Sequence, residues 1–438
     1  MSITKQFYRY VSQNVMGMMG ISCYIIVDTF FISYVAGANG ITVLNLVLPI
    51  FNLIFAMGSM VGVGSSIRYS ILKAQEKEEA KYYFSNAILS VCIISIPFVL
   101  AGLFFPEQLL RIMGGDDVIT AMGSGYARTF LMFTPFFMCN HVVSAFVRND
   151  NDPTRAMMGT IGGSLFNIIF DYIFMFPLGM GLTGAALATA ASPVCSILIC
   201  GTHFISKKNE VEFIPKRVSI RRFIESCRLG TAAFIGEMAS GITTMVFNFL
   251  MLSIAGNIAV AAYGVIANYA LIVTAVFNGV SQGAQPLISK CLGLGDDKSV
   301  KKLKRMGVQT SIALFVIIYI IIFVGADGLI ALFNSEGTKQ LAEYAHTGML
   351  IYFAGYVFAG FNIFMTGYFS ATQKAMQSFI CSILRGIILL VVLAVIFARL
   401  FGMNGVWISF PVTEFITSVV CIGILVQERS KIWSTHHQ

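Results

Sequence analysis

The chain has 438 residues, of which 57% are hydrophobic and only 11% are charged, whereas about 25% of the residues of a typical soluble domain are charged. This composition excludes a soluble globular protein, because too little polar surface remains to cover so large a core. The net charge of +8 does not indicate nucleic-acid binding, because the basic residues lie in loops between apolar runs. The runs are continuous rather than alternating, which predicts membrane-spanning helices and not a β-barrel.

Windows of about twenty apolar residues predict twelve transmembrane helices, and therefore an all-α integral membrane protein. The first six are expected at residues 11–35, 41–71, 82–104, 119–147, 155–178 and 182–205. The second six are expected at residues 229–253, 257–289, 304–326, 343–370, 375–399 and 404–427.

The distribution of Lys and Arg predicts the orientation of these helices, because positive charge concentrates in cytoplasmic loops. With both termini cytoplasmic, only four of the 29 Lys and Arg residues fall on the outer side: Arg111, Arg128, Lys339 and Arg399. The pattern therefore favours a multi-pass protein with cytoplasmic N- and C-termini.

The second half of the chain repeats the first at an offset of about 218 residues. Tyr126 matches Tyr344, and Gly181 matches Gly402. A polar, charged stretch, SKKNEVEFIPKRVSIRR, separates the halves. We therefore predict two pseudo-symmetric six-helix bundles with a cleft between them. The expected boundaries are residues 1–205 for the N-terminal lobe, 206–222 for a cytoplasmic linker and 223–438 for the C-terminal lobe.

Four acidic residues fall within the predicted helices: Asp28, Asp171, Glu237 and Glu414. A carboxylate at bilayer depth costs on the order of 2.5–3.5 kcal/mol, so such residues indicate function by default. Asn167 precedes Asp171 by four residues and shares its helix face, and the same spacing joins Ala185 to Thr189.

These groups predict a cation site in the first lobe. Carboxylate, amide, hydroxyl and backbone oxygens suit Na⁺, whereas two close carboxylates that cannot both ionise cheaply suit a proton. The counterparts of Asp28, Asn167 and Asp171 in the second half lie at or near Asn248, Gly386 and Leu390. The acidic set is thus confined to one lobe, although buried, hydrogen-bonded structural groups are the alternative.

Three further charged residues are candidates for substrate or proton binding. Glu237 could be a second protonatable site, a counter-charge for cationic substrates or a residue near the cytoplasmic headgroups. Glu414 could face the cleft or pair with Arg385, and a structural pair is the favoured interpretation. The 38 Phe and 22 Met residues would suit a pocket for flat, lipophilic cations, although packing and lipid-facing positions need the same residues.

The sequence resembles the multidrug and toxic compound extrusion (MATE) family over essentially its whole length, and within it the bacterial branch of DinF-like and Mep-type exporters. The segments that carry the resemblance are VDTFFIS, MGSMVGVGSS, RNDNDPTRAM, SLFNIIFDYIF, GLTGAALATA and GVSQGAQPLISKCLG.

The resemblance implies a secondary antiporter of the bacterial cytoplasmic membrane that exports lipophilic, cationic small molecules in exchange for Na⁺ or H⁺. It implies a first-lobe cation site at Asp28, Asn167, Asp171 and Thr189, with Ala185 supplying a backbone carbonyl. A second-lobe Na⁺ site is not expected, because its acidic partners in the eighth and tenth helices are missing. The expected partners are small molecules and membrane lipid, no cofactor beyond the coupling ion is expected, and a monomer is sufficient.

Two alternatives belong to other functional classes. A flippase for lipid-linked saccharides would carry anionic cargo and favour a cleft with several Arg residues, but only Arg385 and Arg128 lie deep in the sequence pattern. A membrane enzyme would need a nucleophile and base or a metal-ligand set, and the sequence has no HExxH, GxSxG or Walker motif.

Overall fold

The computed structural model describes residues 2–215, 219–333 and 338–435, so part of the expected linker, residues 216–218, lies outside the described residues. Eight stretches of the described chain are long and apolar enough to cross a membrane. Two of them, Ile220–Gly293 and Ala375–Gln427, are broken at Gly256 and Gly402 and contribute two helices each. Two bent helix pairs complete a set of twelve, which confirms the predicted all-helical architecture.

The spanning helices are named α1 to α12 in chain order. In the first lobe these are α1 (Ile3–Gly37), α2 (Asn39–Ala74), α3 (Tyr82–Phe104), α4 (Asp117–Met132 with Thr134–Asn149), α5 (Pro153–Met175) and α6 (Gly181–Gly201). In the second lobe they are α7 (220–254), α8 (257–293), α9 (Asp297–Ala331), α10 (Lys339–Ala354 with Tyr356–Ala371), α11 (375–401) and α12 (403–435).

Helices α4 and α10 are bent where the sequence predicts single straight spans. The bend in α4 is 43° and lies at Phe133, just before Pro135, whose ring and missing N–H cannot continue the hydrogen-bond ladder. The bend in α10 is 44° and lies at Gly355. A Cβ at Gly355 would meet Pro411 Cα at 2.9 Å, so the bend is packed closely against α12.

The duplication is visible in the backbone conformation as well as in the sequence. Gly37 between α1 and α2 and Gly256 between α7 and α8 both have a positive φ, 58° and 69°. Gly181 at the start of α6 and Gly402 at the start of α12 also pair, with φ values of 56° and 58°. The two lobes therefore turn at corresponding positions, as two pseudo-symmetric six-helix bundles should.

Each lobe has its own apolar core, which contains Phe130 and Phe146 in the first lobe and Phe247 and Trp407 in the second. The lobes also meet at one end of the molecule, the end that carries the start of α1 and the segment after α6; we call this end the linker side. A further apolar cluster there joins Phe7, Tyr10 and Val11 of α1 to α8.

Candidate cation site in the first lobe

Helices α5 and α6 pack closely because glycine faces the partner helix. A Cβ at Gly159 would lie 2.3 Å from Cys200 Sγ, and one at Gly163 would lie 3.1 Å from the Ser192 carbonyl oxygen. This approach brings the polar residues of the two helices together. Asn167 Nδ2 donates a hydrogen bond of 3.2 Å to Thr189 Oγ1.

Asp171 lies one turn beyond Asn167 on α5 and interacts directly with Asp28 of α1. Both carboxyl groups are buried, with Asp171 fully enclosed and Asp28 7% exposed. The structure therefore brings Asp28, Asn167, Asp171 and Thr189 into one cluster, which residue spacing alone indicates only for each helix separately. Their role as cation ligands stays a prediction.

The cluster has more hydrogen-bond acceptors than donors. Among the described residues, no donor reaches four of its buried oxygens: Asp28 Oδ1, Asn167 Oδ1, Asp171 Oδ1 and Asp171 Oδ2. Buried polar atoms are nearly always hydrogen-bonded, and each unsatisfied one costs about 1–3 kcal/mol. Four such oxygens in one place make an environment in which a cation or a proton would be bound favourably.

Ala185 lies one turn before Thr189 on α6 and is fully buried. Its side chain offers no ligand atom, so only its backbone carbonyl could take part. The assignment of that carbonyl as a ligand stays a prediction.

Two tyrosines that the sequence reasoning missed lie within electrostatic reach of the cluster. Tyr24 and Tyr126 are buried, and the charges of both Asp28 and Asp171 act on their hydroxyl groups. Tyr24 could have been found, since it precedes Asp28 by four residues and shares its helix face. Tyr126 lies on α4, and the local sequence gives no signal that connects it to the carboxylates.

Glu237 is partly buried on α7, in the second lobe. Within the described part of the chain, its carboxyl group has neither an ion-pair partner nor a hydrogen bond, and no interaction joins it to Asp28 or Asp171. It is therefore a separate candidate, distinct from the first-lobe cluster.

Arg385 and Glu414 form a buried, two-point ion pair between α11 and α12. Arg385 Nη2 lies 2.7 Å from Glu414 Oε1, and Arg385 Nε donates to Glu414 Oε2 at 3.2 Å. Asn362 of α10, which the sequence reasoning missed, donates to Oε2 at 2.7 Å. The backbone of Arg385 lies in a π-helical turn, Leu384–Ile388. The charge of Glu414 is thus balanced inside the lobe, and the substrate or proton role considered for both residues stays a prediction.

The RNDNDPTRAM segment forms a second polar network on the linker side. Asp150 accepts hydrogen bonds from Tyr69 Oη at 2.8 Å, Lys73 Nζ at 2.6 Å and the backbone N–H of Glu210 at 2.9 Å, and it lies 2.8 Å from His203 Nε2. Burial opposes the charged form, but the contacts with His203, Glu210 and Lys73 outweigh it and hold the pKa of Asp150 below its usual value. The network ties α2, α4 and α6 to the segment after α6.

Comparison with known proteins identifies relatives over nearly the whole chain. The MatE family model matches residues 15–173 and 233–396. A protein named multidrug export protein MepA from Staphylococcus saprophyticus is 25% identical over 434 residues, which cover 98% of this chain and 95% of the relative. A protein of the same name from Staphylococcus aureus is 26% identical over 412 residues, with 93% and 90% coverage.

Solved structures share the fold. An outward-facing multidrug resistance MATE family transporter of the MOP superfamily superposes with a TM-score of 0.91 at 21% identity, covering 100% of this chain and 98% of its own. A MOP superfamily transporter from Pyrococcus furiosus, described as having a binding pocket of reverse polarity, gives 0.89 at 20% identity, with 99% and 97% coverage. A variant of the Vibrio cholerae MATE transporter VcmN gives 0.87 at 19% identity, with 97% and 98% coverage.

Proposed function

This chain belongs to the MatE family of membrane transporters, and from that premise we propose that it exports lipophilic, cationic small molecules in exchange for Na⁺ or H⁺. The relatives named as multidrug export proteins support the export of drug-like molecules, because they align with almost the full length of the chain. We place the protein in a bacterial cytoplasmic membrane with the linker side facing the cytosol, as the distribution of Lys and Arg favours.

The observation that carries the exchange is the set of four buried oxygens in the first lobe that no donor among the described residues reaches. A Na⁺ ion would find the hard oxygen ligands that alkali and alkaline-earth cations prefer. A single proton shared by Asp28 and Asp171 would convert one acceptor into a donor and remove one of the two negative charges. Either ion relieves the same imbalance, so both remain candidates for the driving ion.

The geometry divides the cluster into a fixed and a movable part. Asn167, Asp171 and Thr189 lie on α5 and α6, which glycines hold in close contact, whereas Asp28 comes from α1, as does the neighbouring Tyr24. Binding of an external ion would let α1 repack against this frame. Coupling of about 1–3 kcal/mol between ion and drug would suffice for exchange, and it must act equally in both directions.

Glu237 is our candidate for the counter-charge of a cationic substrate. Its carboxyl group has no partner within the described structure, and its helical spacing from Gly230 and Gly241 places it on the face of α7 that contacts α2 of the first lobe. A flippase with anionic cargo is disfavoured, since the deep guanidinium of Arg385 is already bound to Glu414. The cation cluster comes from one lobe of one chain, so a monomer would suffice.

The test is drug efflux from proteoliposomes under an imposed Na⁺ gradient or an imposed pH gradient. We expect one of the two gradients to drive efflux of a fluorescent lipophilic cation, and Asp28→Asn and Asp171→Asn to reduce that efflux to background. Glu343→Gln, which neutralises an exposed carboxylate on α10, is the matched control and should transport normally. Wild-type efflux in both Asp variants, or efflux that neither gradient drives, would contradict the proposal.

A further inference from the structure

The apolar contact between the lobes on the linker side is duplicated. A Cβ at Gly64 of α2 would lie 1.8 Å from the carbonyl oxygen of Ser226, at the start of α7, and one at Gly230 of α7 would lie 1.9 Å from that of Met60 of α2. A Cβ at Gly283 of α8 would lie 2.7 Å from Val11 Cα of α1. With an offset of 219 residues between the two halves, Val11 corresponds to Gly230 and Gly64 corresponds to Gly283. Both helix contacts therefore follow the internal symmetry.

A buried polar contact beside them does not follow that symmetry. Arg148, at the end of α4, donates from Nη1 to Asn14 Oδ1 of α1 at 2.8 Å and to Gln282 Oε1 of α8 at 3.1 Å. The same offset leads from Arg148 to Gly367, which has no side chain. Packing that both lobes share does not require this arginine, so its presence on one side only indicates a separate role.

The guanidinium of Arg148 is bound by neutral groups alone. It is 7% exposed, and within the described chain no carboxylate lies in ion-pair distance of it. The nearby Asp150 is bound by Lys73 and His203 instead. Amide acceptors hold a guanidinium more weakly than a buried carboxylate would, so the contact with Gln282 can break at moderate cost.

The surroundings of Arg148 also leave it room to move. Its Nε is buried and has no acceptor in the part of the chain that the structure describes, and a small cavity beside it is lined by Gln13, Ser144 and Thr160 of the first lobe. Other polar contacts between the lobes include Tyr83 with Glu225, which also lies 3.7 Å from Arg68, and Lys290 with Asn151. Arg148 differs from these in that a buried cation of one lobe bonds a neutral side chain of the other.

We propose that Arg148 is a positioning residue of the transport cycle, a latch that reversibly holds Gln282 and so stabilises the state in which the linker side is closed. The guanidinium stays with Asn14 in the first lobe and releases Gln282 each time the lobes part on this side. The latch rests on the alternation of the lobes that the proposed exchange requires, but not on the identity of the ion or of the drug.

The experiment measures access to the interface rather than transport. Val15 of α1 faces Gly279 of α8, to which a Cβ could not be added without lying 2.6 Å from Val15 Cα, so a cysteine at position 15 is partly covered when the linker side is closed. We would place Val15→Cys in a chain whose nine cysteines are replaced by serine or alanine. Labelling by a membrane-impermeant maleimide is then followed in inside-out membrane vesicles without drug or ion gradient.

Two substitutions at one position should shift the labelling rate in opposite directions. Gln282→Leu removes the acceptor and should raise the rate about tenfold, whereas Gln282→Glu adds a carboxylate opposite Arg148 and should lower it about tenfold. A change that merely loosened the fold would raise the rate in both variants. Gln108→Glu, an exposed position on the short helix Pro106–Ile112 between α3 and α4, is the matched control and should label like the parent.

Equal labelling rates in the parent, Gln282→Leu and Gln282→Glu would overturn the latch, and so would a rise in both variants. If Gln282→Leu does not elute as a single species, Gln282→Glu and Arg148→Lys carry the test: the former should label more slowly than the parent and the latter should retain partial protection. Because the assay contains neither drug nor gradient, its failure is distinguishable from failure of ion-driven efflux.

Discussion

The two lobes share one fold but treat a buried carboxylate in opposite ways. In the first lobe, Asp28 and Asp171 face each other, and three of their oxygens have no donor in the described structure. In the second lobe, Glu414 is held at two points by Arg385 and by Asn362. One lobe leaves a place for a cation from outside, whereas the other supplies the cation from its own chain. The fold alone therefore does not decide which lobe couples to an ion.

The comparison would be tested most strongly by removing one charge from each lobe. Glu414→Gln should lower stability by about 3–5 kcal/mol, because it leaves the buried guanidinium of Arg385 without its partner. Asp28→Asn should leave stability unchanged or raise it, since it removes one of two facing acceptors that repel each other. Thermal unfolding in detergent measures both effects.

The double variant Arg385→Met with Glu414→Leu is the control for this prediction. It removes the whole pair and should recover most of the stability that Glu414→Gln loses, while efflux continues. Loss of efflux in a stable double variant would show that the second lobe also takes part in transport chemistry.

The lobes differ again on the linker side. In the first lobe, Asp150 is ionised within its network, whereas the corresponding residue of the second lobe, 219 positions later, is the buried Phe369. Because the folded state lowers the pKa of Asp150, its stabilising effect is present at neutral pH and is lost as the pH falls below about 4. Asp150→Asn should therefore lower stability by about 2 kcal/mol at pH 7, and the difference should shrink in acid.

Thermal midpoints of the parent and Asp150→Asn, measured from pH 7 down to the acid limit of solubility, provide the check. Asp116→Asn, which removes the charge but keeps an N-cap at the exposed start of α4, at the opposite end of the lobe, serves as the comparison variant. A constant difference between parent and Asp150→Asn at all pH values would show that the ionised form of Asp150 is not what stabilises the network.

The smallest expected effect concerns the hydroxyl group of the first-lobe cluster. Thr189→Val keeps the shape of the side chain but removes Oγ1, which accepts the hydrogen bond from Asn167. We expect the half-saturating concentration of the driving ion to rise about tenfold, with the maximal efflux rate nearly unchanged. Thr183→Val, on the same helix, should not change it.

Most of the fold could be predicted from the sequence, because the spanning helices contain long apolar runs and the runs repeat. Tyr82–Phe104 agrees with the predicted span at both ends. The bends at Phe133 and Gly355 were not predicted, since the flanking residues remain apolar and only the neighbouring Pro135 or the close contact with α12 requires them. Window averages of hydropathy do not register a change of direction.

The sequence predicts which residues of the candidate site share a face of one helix, but it does not predict which helices come together. Asn167 and Asp171 are joined by helical periodicity, but their approach to Asp28 depends on contacts between distant parts of the chain, for which the family resemblance was the guide. Asn362, Tyr126 and Arg148 were missed for the same reason. Each meets its partners across helices, and an ordinary polar residue in an apolar run does not reveal which neighbour it faces.

The glycines that join the first two helices of each lobe, at the end away from the linker side, restrict how the carrier can move. Gly37 and Gly256, with φ values of 58° and 69°, join consecutive spanning helices almost without a loop. Because this connection is so short, α1 cannot slide along its axis past α2. Any rearrangement around Asp28 must therefore come from bending or rotation of α1 about its fixed end at Gly37. The end of α1 on the linker side can then move farther than the end at Gly37.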